Sequence, residues 1–351
     1  LQQEESGRKN ATSNEARHSD LEFTLLETRW HLNADLRELY SKAACCALDS
    51  NADPDHRIQA AKWACIFAEN ICEPTAAKDI YGAVQPVRDA ASVEHSLHLD
   101  LIFNTSFGDL DLGVEAATAY LACVKDRNAD AQTVGVALRH AAVAFRYAGF
   151  SADAAKFLRE AYEFSNRHGL VADAHSAAVQ LTWIFLDTED IDGAAAWHSL
   201  AVRQNVAGEE LQFRAGHDEA AVRVALARGE NDLALRLAEQ ELSATSDLSY
   251  RSRIAALAIY VRAAAAHGTP IADRFIRELE ALQRQARGVN GQAYPAYSLY
   301  IAYDLIGRRP EGLALLKEYV HKYRRDRVPL SAEIIATLAS SPMDAHDTGA
   351  R

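Results

Sequence analysis

Proline and glycine are scarce in this chain, at eight and seventeen in 351 residues, and Met343 is its single methionine. Alanine dominates the apolar set and strand-forming composition is poor, so nearly the whole chain is expected to be α-helix. No stretch approaches the ~18–20 apolar residues that a bilayer span needs, and no signal peptide is recognisable. The five cysteines (Cys45, Cys46, Cys65, Cys72, Cys123) form an odd set without a C-x-x-C pair. That argues against disulfides or a metal clip and for reduced core thiols in a cytosolic protein. Also missing are G-x-x-x-x-G-K-[ST], G-x-G-x-x-G at a strand–helix junction, H-E-x-x-H and G-x-S-x-G.

Positive charge is short as well. The 49 Asp and Glu exceed the 37 Lys and Arg, for a net charge of −12; residues 1–250 sum to −17 and residues 251–351 to +5. An acidic body lacks the clustered cations that phosphate neutralisation requires, which argues against nucleic-acid binding by this region. The basic end leaves room for a local anionic partner. The triplets Asn10-Ala11-Thr12 and Asn104-Thr105-Ser106 fit the glycosylation pattern but arise readily by chance.

What the chain does have is a beat. Gly108, Gly149, Gly229, Gly268 and Gly307 stand 41, 80, 39 and 39 residues apart, and the turn Thr188-Glu189-Asp190 fills the missing position. Self-similarity at a fixed period signals stacked helical repeats. The helix pairs expected are 94–107 with 111–127, 133–147 with 151–167, 172–187 with 191–205, 210–228 with 231–244, 250–267 with 270–287, and 292–306 with 310–324. Glycine suits the left-handed residue that ends a helix. Ser151, Asp190 or Asp192, Asn231, Thr269 with Pro270, and Pro310 then offer cap or first-turn chemistry for the next helix. Ala154, Ala194, Ala234 and Gly312 recur early in the second helices, where a small side chain lets helices approach closely; Asp273 breaks this pattern, and its helix should pack differently.

Upstream, residues 53–70 and 74–90 read as another hairpin, with Pro54 and Pro74 at helix starts, and 21–48 as a leading helix or pair. The expected division is a tail or linker at 1–19, capping helices at 20–91, the repeat array at 92–328, and a short capping helix with a flexible tail at 329–351. Because the chain starts at Leu1, an effector domain is expected upstream in a longer chain.

Leu138, Ala141, Ala142, Phe145, Gly149, Ala154, Leu158 and Ala161 sit at the core spacing of the tetratricopeptide repeat, and Leu299, Tyr303, Gly307, Gly312, Leu316 and Tyr319 match it again. Over about residues 94–324 the chain resembles that family in a long, degenerate form, as in bacterial signalling and transcription regulators. The period of about 40 exceeds the family's ~34, and no unit carries the usual closing proline. The resemblance implies an all-α, right-handed superhelical solenoid of antiparallel αα-hairpins whose first helices line a concave groove.

By the turn alignment, groove positions hold Arg139, Val143, Arg146 and Tyr147, then Ser176, Val179 and Trp183, then Glu219 and Arg223, then Arg262, then Tyr294, Tyr297 and Asp304. Guanidinium groups bind carboxylates bidentately and stack on aromatic rings, which suits an acidic peptide or anionic ligand. The alternative for these arginines is covering apolar surface or pairing with nearby Asp and Glu. Arg308, Arg309, Arg324, Arg325 and Arg327 form a second basic feature, where helix-end capping competes with docking of an acidic partner. His95 and His98 could share a face near Asp100, but without a third ligand they imply no metal. The acidic pairs at helix starts fit the helix dipole, so no catalytic residue, metal or cofactor is expected.

The function expected is a non-catalytic, cytoplasmic module that binds a protein, peptide or anionic ligand on its concave face, as the sensor part of a bacterial signalling or transcription regulator. A freestanding scaffold or chaperone-like adaptor is the alternative. An enzyme on a helical-repeat frame would need converging titratable residues in a closed pocket, which the spacing does not suggest.

Overall fold

A computed structural model describes residues 35–204, 211–245, 249–290 and 293–322, together with 336, 338 and 339. Among them are fifteen α-helices and no strand. In chain order they are α1 (Leu36–Leu48), α2 (Pro54–Ile71), α3 (Pro74–Val84), a 3-10 turn (Gln85–Ala90), α4 (Val93–Ser106), α5 (Leu110–Asp126), α6 (Ala131–Tyr147) and α7 (Ser151–His168). There follow α8 (Val171–Asp187), α9 (Ile191–Arg203), α10 (Leu211–Ala227), α11 (Asn231–Ala244), α12 (Tyr250–His267), α13 (Asp273–Gln285), α14 (Ala293–Leu305) and α15 (Arg309–Lys322).

Aspartate opens several of these helices. Asp35, Asp53, Asp109, Asp130 and Asp190 each accept a backbone N–H of the first turn, satisfying donors that have no partner inside the helix. Ser92 and Ser249 do the same for α4 and α12. Ser151 and Asn231 fall in the first turn rather than at the cap: they are the first residues of α7 and α11, behind Phe150 and Glu230, and Asn231 donates to the Ala266 carbonyl at 2.9 Å. Gly149, Gly229, Gly268 and Gly307 all adopt positive φ at the ends of first helices, and Glu189 takes φ 61 at the turn where the beat lacks its glycine.

Neighbouring helices pack on one another from α1 to α3 and from α4 to α12, α3 reaches α4 through the Tyr81–Phe103 ring pair, and α14 packs on α15. Alternate helices also touch: α2 meets α4, then α6, α8, α10, α12 and α14 follow in series. Alanine makes this possible. Ala137, Ala141, Ala142, Ala154, Ala161, Ala177 and Ala194 are buried without residue, and Leu138, Leu158 and Leu181 fill the space between them. Ala234 belongs to the same series, and the Cβ position of Gly312 would lie 3.0 Å from the Tyr300 backbone. Cys65 and Cys72 are buried, as expected, whereas Cys45 is exposed, so not every thiol is a core residue. Asn104 is buried inside α4 and is no glycosylation site in the folded chain.

The regular pairing breaks at α13. It leans only slightly on α12 and α14, and α12 packs directly against α14 instead. The expected pair 250–267 with 270–287 is therefore not a close hairpin; the helix begins after Pro270, at the same Asp273 that breaks the small-residue series. Its chain continues toward the opposite end of the sequence. Ala286 and Val289 join the core cluster of α1–α4, and α12 touches α2. The series α2, α4, α6, α8, α10, α12 thus returns to its own start. Residues 21–34 of the expected leading segment, and the tail apart from 336, 338 and 339, lie outside the described residues.

Candidate binding site

Each helix of that returning series contributes to one polar network. Glu69 closes the last turn of α2, Ser106 ends α4, Arg146 and Tyr147 end α6, and Asp187 ends α8. Glu219 and Arg223 lie along α10, and Arg251 opens α12. A carboxylate at a helix C-terminus faces the negative end of the dipole, so Asp187 and Glu69 require cations, while Arg146 at the same kind of position is favoured.

The cations are there. Asp187 accepts from Arg146 Nη2 at 2.8 Å and from Arg223 Nη2 at 2.7 Å, and all three side chains are largely buried. Burial alone would raise the Asp187 carboxyl; the two guanidiniums outweigh it, and its pKa lies below the ordinary range. Glu219 lies 3.7 Å from Arg223, and there burial wins, leaving its pKa raised. Arg251 Nη1 donates to Glu69 at 2.5 Å and Nη2 donates to the Tyr147 hydroxyl at 3.0 Å, while Ser106 Oγ donates to the other Glu69 oxygen at 2.7 Å. Glu219 is within electrostatic reach of Arg251 and Arg146, joining the two halves.

Trp183 stands beside this network, with the Arg146 guanidinium 5.3 Å from its ring centroid. Gly216 of α10 fits against the indole, 3.5 Å from it at the Cβ position. Leu181 takes the fully buried position on α8, and Trp183 is half-buried. Two N–H donors in this cluster, Arg146 Nε and Trp183 Nε1, are enclosed and have no hydrogen-bond partner. Each still lacks the acceptor that a buried donor ordinarily has.

The sequence-selected residues thus separate into groups. Arg146, Tyr147, Trp183 and Arg223 come together. Arg139 pairs with buried Asp173 at 2.8 Å between α6 and α8. Arg262 stacks over Tyr297 at 5.2 Å, and Tyr297 is buried in a small cluster with Tyr300. Tyr294 lies on α14, with its side chain outside the described residues. In the basic feature, Arg308 pairs with Glu311 and with Glu280 at 3.4 Å and covers Tyr303, and Arg309 lies 3.7 Å from Asp304. Arg324, Arg325 and Arg327 fall outside the described residues.

His95 and His98 part company. His95 meets Asp55 and Gln59, and Asp100 accepts from Tyr81 and Arg88. His98 instead shares a 2.9 Å hydrogen bond with His140 of α6, stacked on Tyr120. Burial, then Lys62, holds His98 well below its ordinary value; burial, then Arg139 and Lys62, takes His140 to about 3. A second group joins three helices: His175, His198 and His217, with ring centroids 5.3 and 5.0 Å apart about His217. His175 Nδ1 donates to the Ala201 carbonyl at 3.0 Å, and burial followed by the neighbouring imidazoles lowers His198 to about 4.

Among the described residues no three His, Cys, Asp or Glu side chains are arranged to hold a metal ion, and no helix is long and apolar enough to cross a membrane. Sequence reasoning missed Asp187, Glu69, Arg251 and both histidine groups. The one signal for Asp187 was a carboxylate ending the apolar run Ile184-Phe185-Leu186. No family model matches this chain, and no curated protein matches it.

Proposed function

We propose that the chain is a tetratricopeptide-like, superhelical repeat module that binds an acidic peptide or anionic ligand on the inner face of its alternate helices, without catalysing a reaction. The observation that carries this reading is the pair of enclosed, unpartnered donors, Arg146 Nε and Trp183 Nε1, beside the Arg146–Asp187–Arg223 cluster. A carboxylate oxygen that reaches either donor would complete its hydrogen bonding. Its setting is the sensor part of a bacterial signalling or transcription regulator, with an effector domain elsewhere in a longer cytoplasmic chain. The described members of the basic feature, Arg308 and Arg309, pair with Glu311, Glu280 and Asp304, as the arginines of the alternate helices pair with Asp173, Asp187 and Glu69.

The test is titration with short poly-glutamate peptides, followed by indole fluorescence and by calorimetry. Arg146→Gln and Trp183→Phe each remove one of the two donors and should weaken binding at least tenfold while helicity stays unchanged. Charge reversal at Arg146 or Arg223 is a poor test, because it would set a new carboxylate against buried Asp187 and threaten the fold itself. Wild-type protein that ignores the peptides, or both variants binding as wild type does, would refute this reading.

A further inference from the structure

Once the network around Asp187 has paired its own charges, one carboxylate and two N–H donors are left over among the described residues. The carboxylate is Glu219. On α10, Gly216, Glu219 and Arg223 stand on one face at helical spacing. Gly216 meets the Trp183 indole of α8, and Arg223 donates to Asp187, one turn further along α8. Glu219 therefore lies between those two contacts. Its side chain keeps 18% of its surface exposed, approaches Arg223 only to 3.7 Å, and accepts no hydrogen bond from any described residue. The donors are Arg146 Nε and Trp183 Nε1.

The guanidiniums nearby do not supply what Glu219 lacks. Arg146 and Arg223 both donate to Asp187, and Arg251 donates to Glu69 and Tyr147. Burial keeps the Glu219 carboxyl above its ordinary range in spite of all three. α11 adds Glu241, 2% exposed, whose two carboxylate oxygens are enclosed and have no hydrogen-bond partner. Burial, then Glu219 and Asp218, raises that carboxyl to about 9. Asp187 and Glu69 are matched by cations, whereas Glu219 and Glu241 are not. Of the unmatched pair, Glu219 is the one open to a ligand, and a cation carrying N–H groups would complete its hydrogen bonding.

A bare anion offers acceptors alone. The first residue of a peptide offers an ammonium, which only donates, next to a carbonyl that accepts. We infer that the inner face reads the amino terminus of an acidic peptide, with the terminal ammonium donating to Glu219 and the oxygens of the same residue turned to Arg146 and Trp183. This specificity rests on the proposed function and selects the acidic peptide over the bare anion. It also excludes the interior of a long acidic segment, whose amides carry no ammonium.

Calorimetry on the whole chain should compare triglutamate with glutaryl-glutamyl-glutamate, which lacks only the terminal amine. Wild-type protein should bind triglutamate about tenfold more tightly or better, the worth of one charge-assisted hydrogen bond. Glu219→Gln should weaken triglutamate to the level of the glutaryl peptide and leave the glutaryl peptide where it was, with helicity unchanged. Arg146→Gln should weaken both peptides alike. Equal affinity of the two peptides for wild-type protein would overturn the inference and leave peptide binding standing; this comparison needs no variant, so a misfolded Glu219→Gln would not shield it. A preference for triglutamate that survives in folded Glu219→Gln would equally overturn it. Wild-type protein that binds neither peptide would sink the proposed function, and amino-terminal recognition with it.

Discussion

The pair α6 and α7 is rich in alanine and α13 has a single one, and they hold their places in different ways. α6 buries Ala137, Leu138, Ala141, Ala142 and Ala144 and is packed on four sides, by α4, α5, α7 and α8. α13 buries only Ile276 and Leu279, seated with half-buried Phe275 and Leu282 against the core of α10–α12, and is held besides by Arg253 on Glu278 and Tyr303 on Glu280. The difference teaches that repeated small residues create the stack, and that where the series stops, at Asp273, the chain is released to do something else. Destabilising changes in the stack should be felt globally, and those in α13 locally.

The largest effect is expected at Asp187. Removing it as Asp187→Ala leaves Arg146 and Arg223 buried without their shared carboxylate, and breaking such a pair costs about 3–5 kcal/mol. Chemical denaturation should show that loss across the whole transition. A loss under 1 kcal/mol would mean that the cluster is solvated and that the stack does not depend on it.

Next comes a direct comparison of two leucines that are both fully buried. Leu138→Ala should cost about 2–5 kcal/mol and lower the melting transition of the entire chain. Leu279→Ala on α13 should chiefly speed hydrogen exchange over 273–290. Equal shifts of the global transition would erase the distinction between the stack and α13.

Acid offers a third probe, because both histidine groups lie between helices of the stack and neither touches α13. Their folded-state pKa values are depressed by burial and by cationic or imidazole neighbours, to about 3 for His140 and about 4 for His198. Below an unfolded value of about 6.5 the unfolded chain binds protons that the folded chain refuses. Stability is therefore full above that value and falls as pH drops toward 4 and then 3. Asp187 has the same sign but begins to lose its contribution only near the ordinary carboxylate range, well below neutrality. Denaturation midpoints measured from pH 7 to pH 5 should already fall, and His198→Gln should flatten part of that slope. A flat profile over this interval would mean that the imidazoles are hydrated and of no consequence to the stack.

How much of this could be read from sequence follows the same division. α11 and α12 occupy the expected 231–244 and 250–267, because glycine at the end of one helix and the small residue early in the next are local signals. The break at Asp273 was visible for the same reason. Where α13 goes was not, since Asn290 and Asn104 lie 186 residues apart and nothing local joins them. Among the groove residues, the arginines were legible as a chemical type. Their partners were not, because Arg146 and Arg223 meet through an aspartate on a third helix, and such a contact depends on which helices touch rather than on spacing.

The smallest expected effect examines the beat itself. Glu189 occupies, at φ 61, the place where Gly149, Gly229, Gly268 and Gly307 end the other first helices. A side chain with a Cβ in the left-handed region costs roughly 1–2 kcal/mol relative to the right-handed one, and glycine escapes that cost but loses more freedom on folding. Glu189→Gly should therefore stabilise the chain by about 0.5–1 kcal/mol, and Gly229→Ala should destabilise it by a similar amount. Open space around Gly229 leaves the backbone as the only source of that penalty. The two changes should move the denaturation midpoint in opposite directions. If Glu189→Gly instead lowers it, interactions of the glutamate side chain must outweigh its backbone strain, and the missing glycine would be a choice of sequence rather than a lapse in the repeat.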